Sequence, residues 1–152
     1  MKIYLGTDHA GFQYKEIVKE YLKNETKYEV IDEGVYEYVK TDDYPDVIVP
    51  VAKSISQNRK KDIESRGIIF GGSGQGEAIV ANRFSGVRCA VYYGGPKKIV
   101  TLSREHNNAN ILSIGARFVA EEDVVEIVKL WLSTEFSGDA RHVRRIRKID
   151  KC

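Results

Sequence analysis

Cysteine, proline and histidine are scarce in this chain, and a membrane-length apolar run is missing altogether. Two cysteines, Cys89 and Cys152, cannot build a disulfide framework. Cys89 falls in the apolar run Val87–Tyr92 and is expected to be a reduced core residue. Cys152 ends the chain and is expected to be loose. No CxxC, HExxH or CxxC…HxxxH spacing occurs, so no metal site is expected. Three prolines and 13 glycines in 152 residues exclude collagen-like and low-complexity chains. No apolar run approaches the roughly 18 residues that span a bilayer. Met1-Lys2-Ile3-Tyr4-Leu5-Gly6 meets Asp8-His9 too soon for a signal peptide, whose apolar region runs about 7–15 residues. A cytoplasmic, unprocessed chain is expected.

What remains is the composition of an ordinary globule, 42% hydrophobic and 30% charged. One domain over residues 1–152 is expected from that length. The net charge is +2, but it is unevenly spread. Arg141–Cys152 carries Arg141, Arg144, Arg145, Arg147, Lys148 and Lys151 against Asp150 alone, a net of +5. The body before it is therefore at −3. A basic tail on a mildly acidic body calls for an anion: a phosphate, a nucleic acid or an acidic partner surface. The tail has no aromatics to stack bases, and a pI of 8.4 is modest. Both weigh against nucleic acid.

Apolar periodicity gives alternating elements. Strands are expected at Lys2–Thr7, Tyr28–Asp32, Gly67–Phe70, Val87–Tyr93 and Asn110–Ile114. Helices are expected at Gln13–Asn24, from Pro45 through Ile55, at Glu77–Phe84, Lys97–Arg104 and Glu121–Leu132, and in the basic tail. Asn58–Arg66 reads as a charged connection without an assigned function. Five strand–helix alternations imply an α/β Rossmann-like three-layer sandwich: a five-stranded parallel sheet, helices on both faces, and a basic C-terminal helix. Ligands of such sheets sit beyond the carboxyl ends of the strands. The loops to inspect are Thr7–Gly11, Asp32–Tyr44, Gly71–Gly76, Gly94–Pro96 and Gly115–Phe118.

Gly71-Gly72-Ser73-Gly74-Gln75-Gly76 is the most informative of them. Four glycines in six residues let backbone amides approach an anion closely. It is not a P-loop, since no Lys-Ser/Thr follows, and Glu77 stands where a dinucleotide fingerprint needs glycine. Glu77 is either a favourable charge in the first helical turn or a carboxylate base facing the loop. His106 either suits a helix C-terminus or is a general acid, with Asn107 beside it to bond sugar hydroxyls. Asp8 and His9 end the first strand at the ligand edge, where Asp8 could equally be a cap. Tyr44 is a loop ring or a pocket wall. Arg117 follows the fifth strand. Arg141 and Arg145 are spaced i, i+4, so they share a helical face and suit a phosphate.

Six segments in order resemble one family: Gly6-Thr-Asp-His-Ala-Gly11, Asp42-Asp43-Tyr44-Pro45, Gly71–Glu77, Arg104-Glu-His-Asn-Asn-Ala-Asn110, Gly115-Ala-Arg117 and Arg141-His142-x-x-Arg145. Together they resemble the type B ribose-5-phosphate isomerases, with the related allose- and galactose-6-phosphate isomerases, over essentially the whole chain. The resemblance implies ribose 5-phosphate–ribulose 5-phosphate interconversion without metal or organic cofactor. It also implies a homodimer, or a tetramer built from one, whose sites borrow residues from both subunits. The C-terminal helix, about 139–150, would cross to the partner. One subgroup has Cys at the position of Gly71; this chain resembles the other, whose base is the glutamate at Glu77. The resemblance makes His106 the ring-opening acid/base. It makes Asp8, His9, Gly72, Ser73, Gly74, Gln75, Gly76 and Asn107 sugar contacts, and Arg117, Arg141 and Arg145 phosphate contacts. Three alternatives stay open: a six-carbon sugar phosphate as substrate, a non-catalytic anion- or sugar-phosphate-binding protein, and a nucleic-acid binder working through the tail.

Overall fold

The structure is a computed structural model and describes residues 1–61 and 63–151, so Asp62 and Cys152 lie outside it. Five strands form one parallel sheet: β1 (Lys2–Thr7), β2 (Glu29–Asp32), β3 (Ser65–Gly71), β4 (Cys89–Tyr92) and β5 (Ile111–Gly115), in the order β2-β1-β3-β5-β4. The helices are α1 (Phe12–Glu25), α2 (Tyr44–Lys60), α3 (Gln75–Ala81), α4 (Lys98–Glu105), α5 (Val124–Ser133) and α6 (Ala140–Ile149). Short 3₁₀ turns at His9–Gly11 and Glu121–Asp123 precede α1 and α5.

The strand order fixes which face each helix covers, because crossovers between parallel strands are right-handed. The steps β1 to β2 and β4 to β5 run one way along the sheet; β2 to β3 and β3 to β4 run the other. Accordingly α1, α4 and α5 cover one face and α2 and α3 the opposite one. Side chains alternate to match. Ile3, Leu5, Ile68, Phe70, Leu112 and Ile114 pack with Val18, Leu22, Val100, Ile127 and Trp131. Tyr4, Ile69 and Ile111 pack with Ile48, Val51, Ile55 and Ala81. The near-continuous apolar runs of β1, β3 and β5 are what strands buried on both faces need.

Differences from the expected boundaries fall where local signals compete. The charged stretch at Asn58–Arg66 is partly regular: α2 continues to Lys60 and β3 begins at Ser65. Arg66 owes its place inside a strand to a buried guanidinium that donates to the carbonyls of Trp131 and Leu132 at the end of α5. The helix after the glycine loop starts earlier than the apolar pattern suggests, at Gln75, because Gly74 turns left-handed (φ 75°) and caps it; it also ends earlier, at Ala81. β4 is a four-residue edge strand rather than the seven expected, and Cys89 on it is half-buried rather than a full core residue. Burial there pushes its thiol pKa up. α6 lies back along the amino-terminal edge of the sheet, where the Asp150 carboxylate accepts from Arg59 and Arg88 at 2.6 and 3.0 Å.

Candidate active site

The parallel sheet gives the molecule two ends. At the carboxyl end, the β3–α3 loop crosses the mouth of the β1–β3–β5 region, between strands whose connections leave in opposite directions. The loop is fastened to the turn after β5: the Gly71 and Gly72 carbonyls accept from the Ala116 and Arg117 amides at 2.9 and 3.1 Å. The Ser113 hydroxyl donates to the Gly74 carbonyl at 2.6 Å. These bonds fix the loop without using the amides of Gly72, Ser73 and Gly74, which have no hydrogen-bond partner among the described residues. Three such amides form a cradle for an anion or an oxyanion.

Glu77 is only 4% exposed. Its carboxyl folds back against Gly71, filling the volume that a side chain at position 71 would occupy. Burial pushes its pKa above the ordinary glutamate value; its own backbone amide opposes this, and the neighbouring Asp8 charge adds to it. The two readings of Glu77 thus meet in one place: it lies in the first turn of α3, and it is a desolvated carboxylate aimed at the loop. Tyr44 lies across the loop's far side, its ring so close to Gly76 that a side chain there would strike it. The Arg117 guanidinium lies over Gly72.

Asp8 caps the 3₁₀ turn, accepting from the Ala10 and Gly11 amides at 2.9 and 3.3 Å. Burial raises its pKa as well, against the lowering effect of His9 and those amides. The His9 Nδ1 is 2.5 Å from the Asp42 Oδ1. Asp8, His9 and Asp42 bring one donor atom each within 4.8 Å of one another. Asp8 Oδ1 already accepts from two backbone amides, and His9 Nδ1 and Asp42 Oδ1 are engaged with each other.

His106 and Asn107 are not in this cluster. α4 runs from the carboxyl end of the sheet back to the amino end, a travel of about 12 Å for its eight residues. His106 follows its last residue and is therefore at the opposite edge of the sheet from Glu77. There it stacks on His142 of α6, with ring centroids 4.3 Å apart and planes 12° apart. Arg141 donates through Nε to His142 Nε2 at 3.1 Å. Desolvation and the adjacent His106 and Arg141 charges hold His142 below the usual histidine range. His106, Asn107, His142 and Arg145 line a shallow cavity of about 340 Å³ with Ala90, Ile99 and Leu102.

The chemistry-bearing residues of one chain thus form two half-sites. Asp8, His9, Tyr44, Gly72–Gly76, Glu77 and Arg117 stand at the carboxyl edge; His106, Asn107, Arg141 and Arg145 stand at the amino edge. Spacing along the chain attaches no role to Asp42 or His142; only the folded loop and the α4–α6 contact give them partners.

An amide-lined loop and a buried carboxylate at the carboxyl edge of a doubly wound parallel sheet define an α/β protein equipped for a small anionic metabolite. The family model described as Ribose/Galactose Isomerase matches residues 3–149, and the chain belongs to that family. It is 40% identical over 146 residues to ribose-5-phosphate isomerase B of Mycobacterium tuberculosis, covering 96% of this chain and 86% of that one. The fold matches the ribose-5-phosphate isomerase B of Mycoplasma genitalium solved with bound ribulose 5-phosphate: TM-score 0.91, 35% identity, 99% of this chain and 94% of that chain. It also matches the Thermotoga maritima enzyme, with TM-score 0.85, 42% identity, and 99% and 98% coverage.

Proposed function

We propose that this chain interconverts D-ribose 5-phosphate and D-ribulose 5-phosphate without a metal, in sites shared between two copies of itself. The observation that carries the reading is the Glu77 carboxyl, desolvated against Gly71 at the side of a loop with unpartnered amides. Ring opening comes first. His106 gives a proton to the ring oxygen and takes one from the anomeric hydroxyl, leaving the open aldehyde. The Glu77 carboxylate then removes the C2 proton. The electron pair moves into a C1–C2 double bond, and charge gathers on O1, where the Gly72–Gly74 amides stabilise it. A proton passes from the C2 hydroxyl to O1, and protonated Glu77 returns its proton to C1, giving the ketose. A raised carboxyl pKa suits both halves of that transfer near neutral pH. Arg117, Arg141 and Arg145 hold the phosphate, so that binding far from the reacting carbons fixes their geometry.

The two-copy part of the reading rests on the two half-sites. A two-fold axis at the β4 edge, perpendicular to the strands, would bring the carboxyl edge of one copy against the amino edge of the other. Ile79, Tyr93, Ile99 and Phe118 flank that edge and are all at least half-exposed, an apolar surface suited to burial by a second copy. α6 would then present Arg141 and Arg145 to the neighbour's site from its own subunit's amino edge.

The test is ribulose 5-phosphate formation from ribose 5-phosphate under excess chelator. Wild type turns over, and Glu77→Gln loses about a thousandfold in kcat. Unchanged turnover in the variant removes Glu77 as base. No turnover of ribose 5-phosphate by folded wild type overturns the five-carbon reading.

A further inference from the structure

The loop between β2 and α2 is fastened at both ends by charge. At its start, Lys15 is fully buried; its Nζ donates to the Asp32 carboxylate at 2.8 Å and to the carbonyls of Gly34 and Val35 at 3.1 and 2.7 Å. Near its end, the Asp42 Oδ1 meets the His9 Nδ1. The Asp42 side chain is nine-tenths buried, while the His9 ring keeps about a quarter of its surface exposed. Tyr38 of the same loop stands edge-on to that ring, with centroids 6.1 Å apart. The second Asp42 oxygen, Oδ2, is buried without a hydrogen-bond partner among the described residues. A buried, half-satisfied carboxylate is unfavourable for folding, and its presence asks for a reason. The hydrophobic cores supply none, since Asp42 belongs to neither of them.

We propose that Asp42 is a positioning residue for the isomerisation: it holds His9 with Nδ1 protonated and turned into the loop, so that Nε2 is the ring nitrogen offered to the sugar phosphate. The carboxylate accepts only, so the shared proton belongs to Nδ1. Nε2 makes no hydrogen bond among the described residues and is the ring's one free polar atom. Tyr38 limits rotation about the same ring. A histidine without this partner would flip and exchange tautomers, presenting the wrong nitrogen part of the time. Asp42 makes its side-chain hydrogen bond to His9, so its effect passes mainly through that ring, its charge acting more weakly on the neighbouring Asp8. The inference rests on the isomerase reading for its kinetic consequence, but not for its geometry.

The experiment pairs two readouts on wild type, Asp42→Asn, Asp42→Ala, His9→Gln and the Asp42→Ala/His9→Gln double variant. Long-range ¹⁵N–¹H NMR reports the protonated nitrogen of each histidine, and His9→Gln identifies the His9 signals. The expected wild-type signal is a protonated Nδ1 on His9, lost or averaged in Asp42→Ala. In kinetics with ribose 5-phosphate, Asp42→Ala lowers kcat/KM by about 10- to 100-fold. Asp42→Asn, whose amide oxygen still accepts from Nδ1–H and which keeps the shape of the site, recovers most of that loss. Asp42→Ala adds at most about twofold in the His9→Gln background, because most of its effect runs through the ring. An unchanged His9 tautomer in Asp42→Ala, or losses that simply add in the double variant, overturns the proposal. Absence of turnover by wild type would overturn the isomerase reading instead, and the NMR comparison would still decide the pairing.

Discussion

Adding one methyl group at position 71 tests the site more sharply than removing the Glu77 carboxyl. An ideal Cβ on Gly71 lands inside the Glu77 carboxyl, whereas ordinary contact begins at 3.4 Å. The backbone is not the obstacle, because Gly71 is not among the glycines with positive φ. In Gly71→Ala the strand end can therefore stay in place, and the carboxyl must retreat by about 1 Å or more. A displacement of that size costs about 10²-fold in rate, and complete loss of a base costs about 10²–10⁴. The expected fall in kcat/KM is about 10²- to 10³-fold, with about 1–3 kcal/mol of lost stability from overpacking. Steady-state kinetics and urea unfolding read the two effects. The control is Gly71→Ala in a Glu77→Ala background, where the carboxyl that the methyl strikes is gone and the further change in both quantities should be much smaller. Activity of Gly71→Ala within about twofold of wild type, or full additivity with Glu77→Ala, would refute the close approach of the two residues.

Four other outcomes follow from the structure. Mixing Glu77→Gln and His106→Gln proteins, each nearly inactive, and allowing subunits to exchange should restore about a quarter of wild-type activity if each site draws Glu77 from one copy and His106 from the other; no recovery would mean that both residues serve one chain. The acid limb of kcat/KM should lie above the ordinary glutamate value, because burial raises the Glu77 pKa. A carboxyl raised in the fold contributes stability below its unfolded pKa that is lost as pH rises through the folded pKa, so Glu77→Gln should be more stable than wild type at pH 7 and lose that advantage below pH 4.5, as thermal melts across pH would read. Lys15→Ala leaves the Asp32 carboxylate and two carbonyls without their buried cation, so denaturant unfolding should show a loss of about 3–5 kcal/mol.

The sequence alone determined the layered sheet and the loop that matters. The apolar runs of β1, β3 and β5 are long enough to need burial on both faces, and the alternation with helical stripes leaves few topologies. Gly71–Gly76 was visible as an amide cradle because glycine enrichment after a strand has few other uses. From its position alone Glu77 has two readings, and only the family resemblance favours the base. Its proximity to Gly71 depends on how the first turn of α3 packs over the end of β3, a contact between backbone and side chain that no periodicity reports. The division of the site is implied by the family resemblance but is not legible in the residue pattern, for a different reason. Spacing along the chain does not say which end of a parallel sheet a residue reaches; α4 carries His106 back to the amino edge, and α6 returns to meet it there through His142. Asp42 shows the same limit at the scale of one side chain. The Asp42–His9 pair spans 33 positions of sequence and forms because Lys15 fixes the start of the loop and the buried Asp42 carboxylate meets the imidazole at its end. Local composition selects the elements, since burial and backbone geometry act within a few residues. Charge and proton placement were settled by the tertiary structure, since desolvation and hydrogen bonding depend on which distant groups the fold brings together.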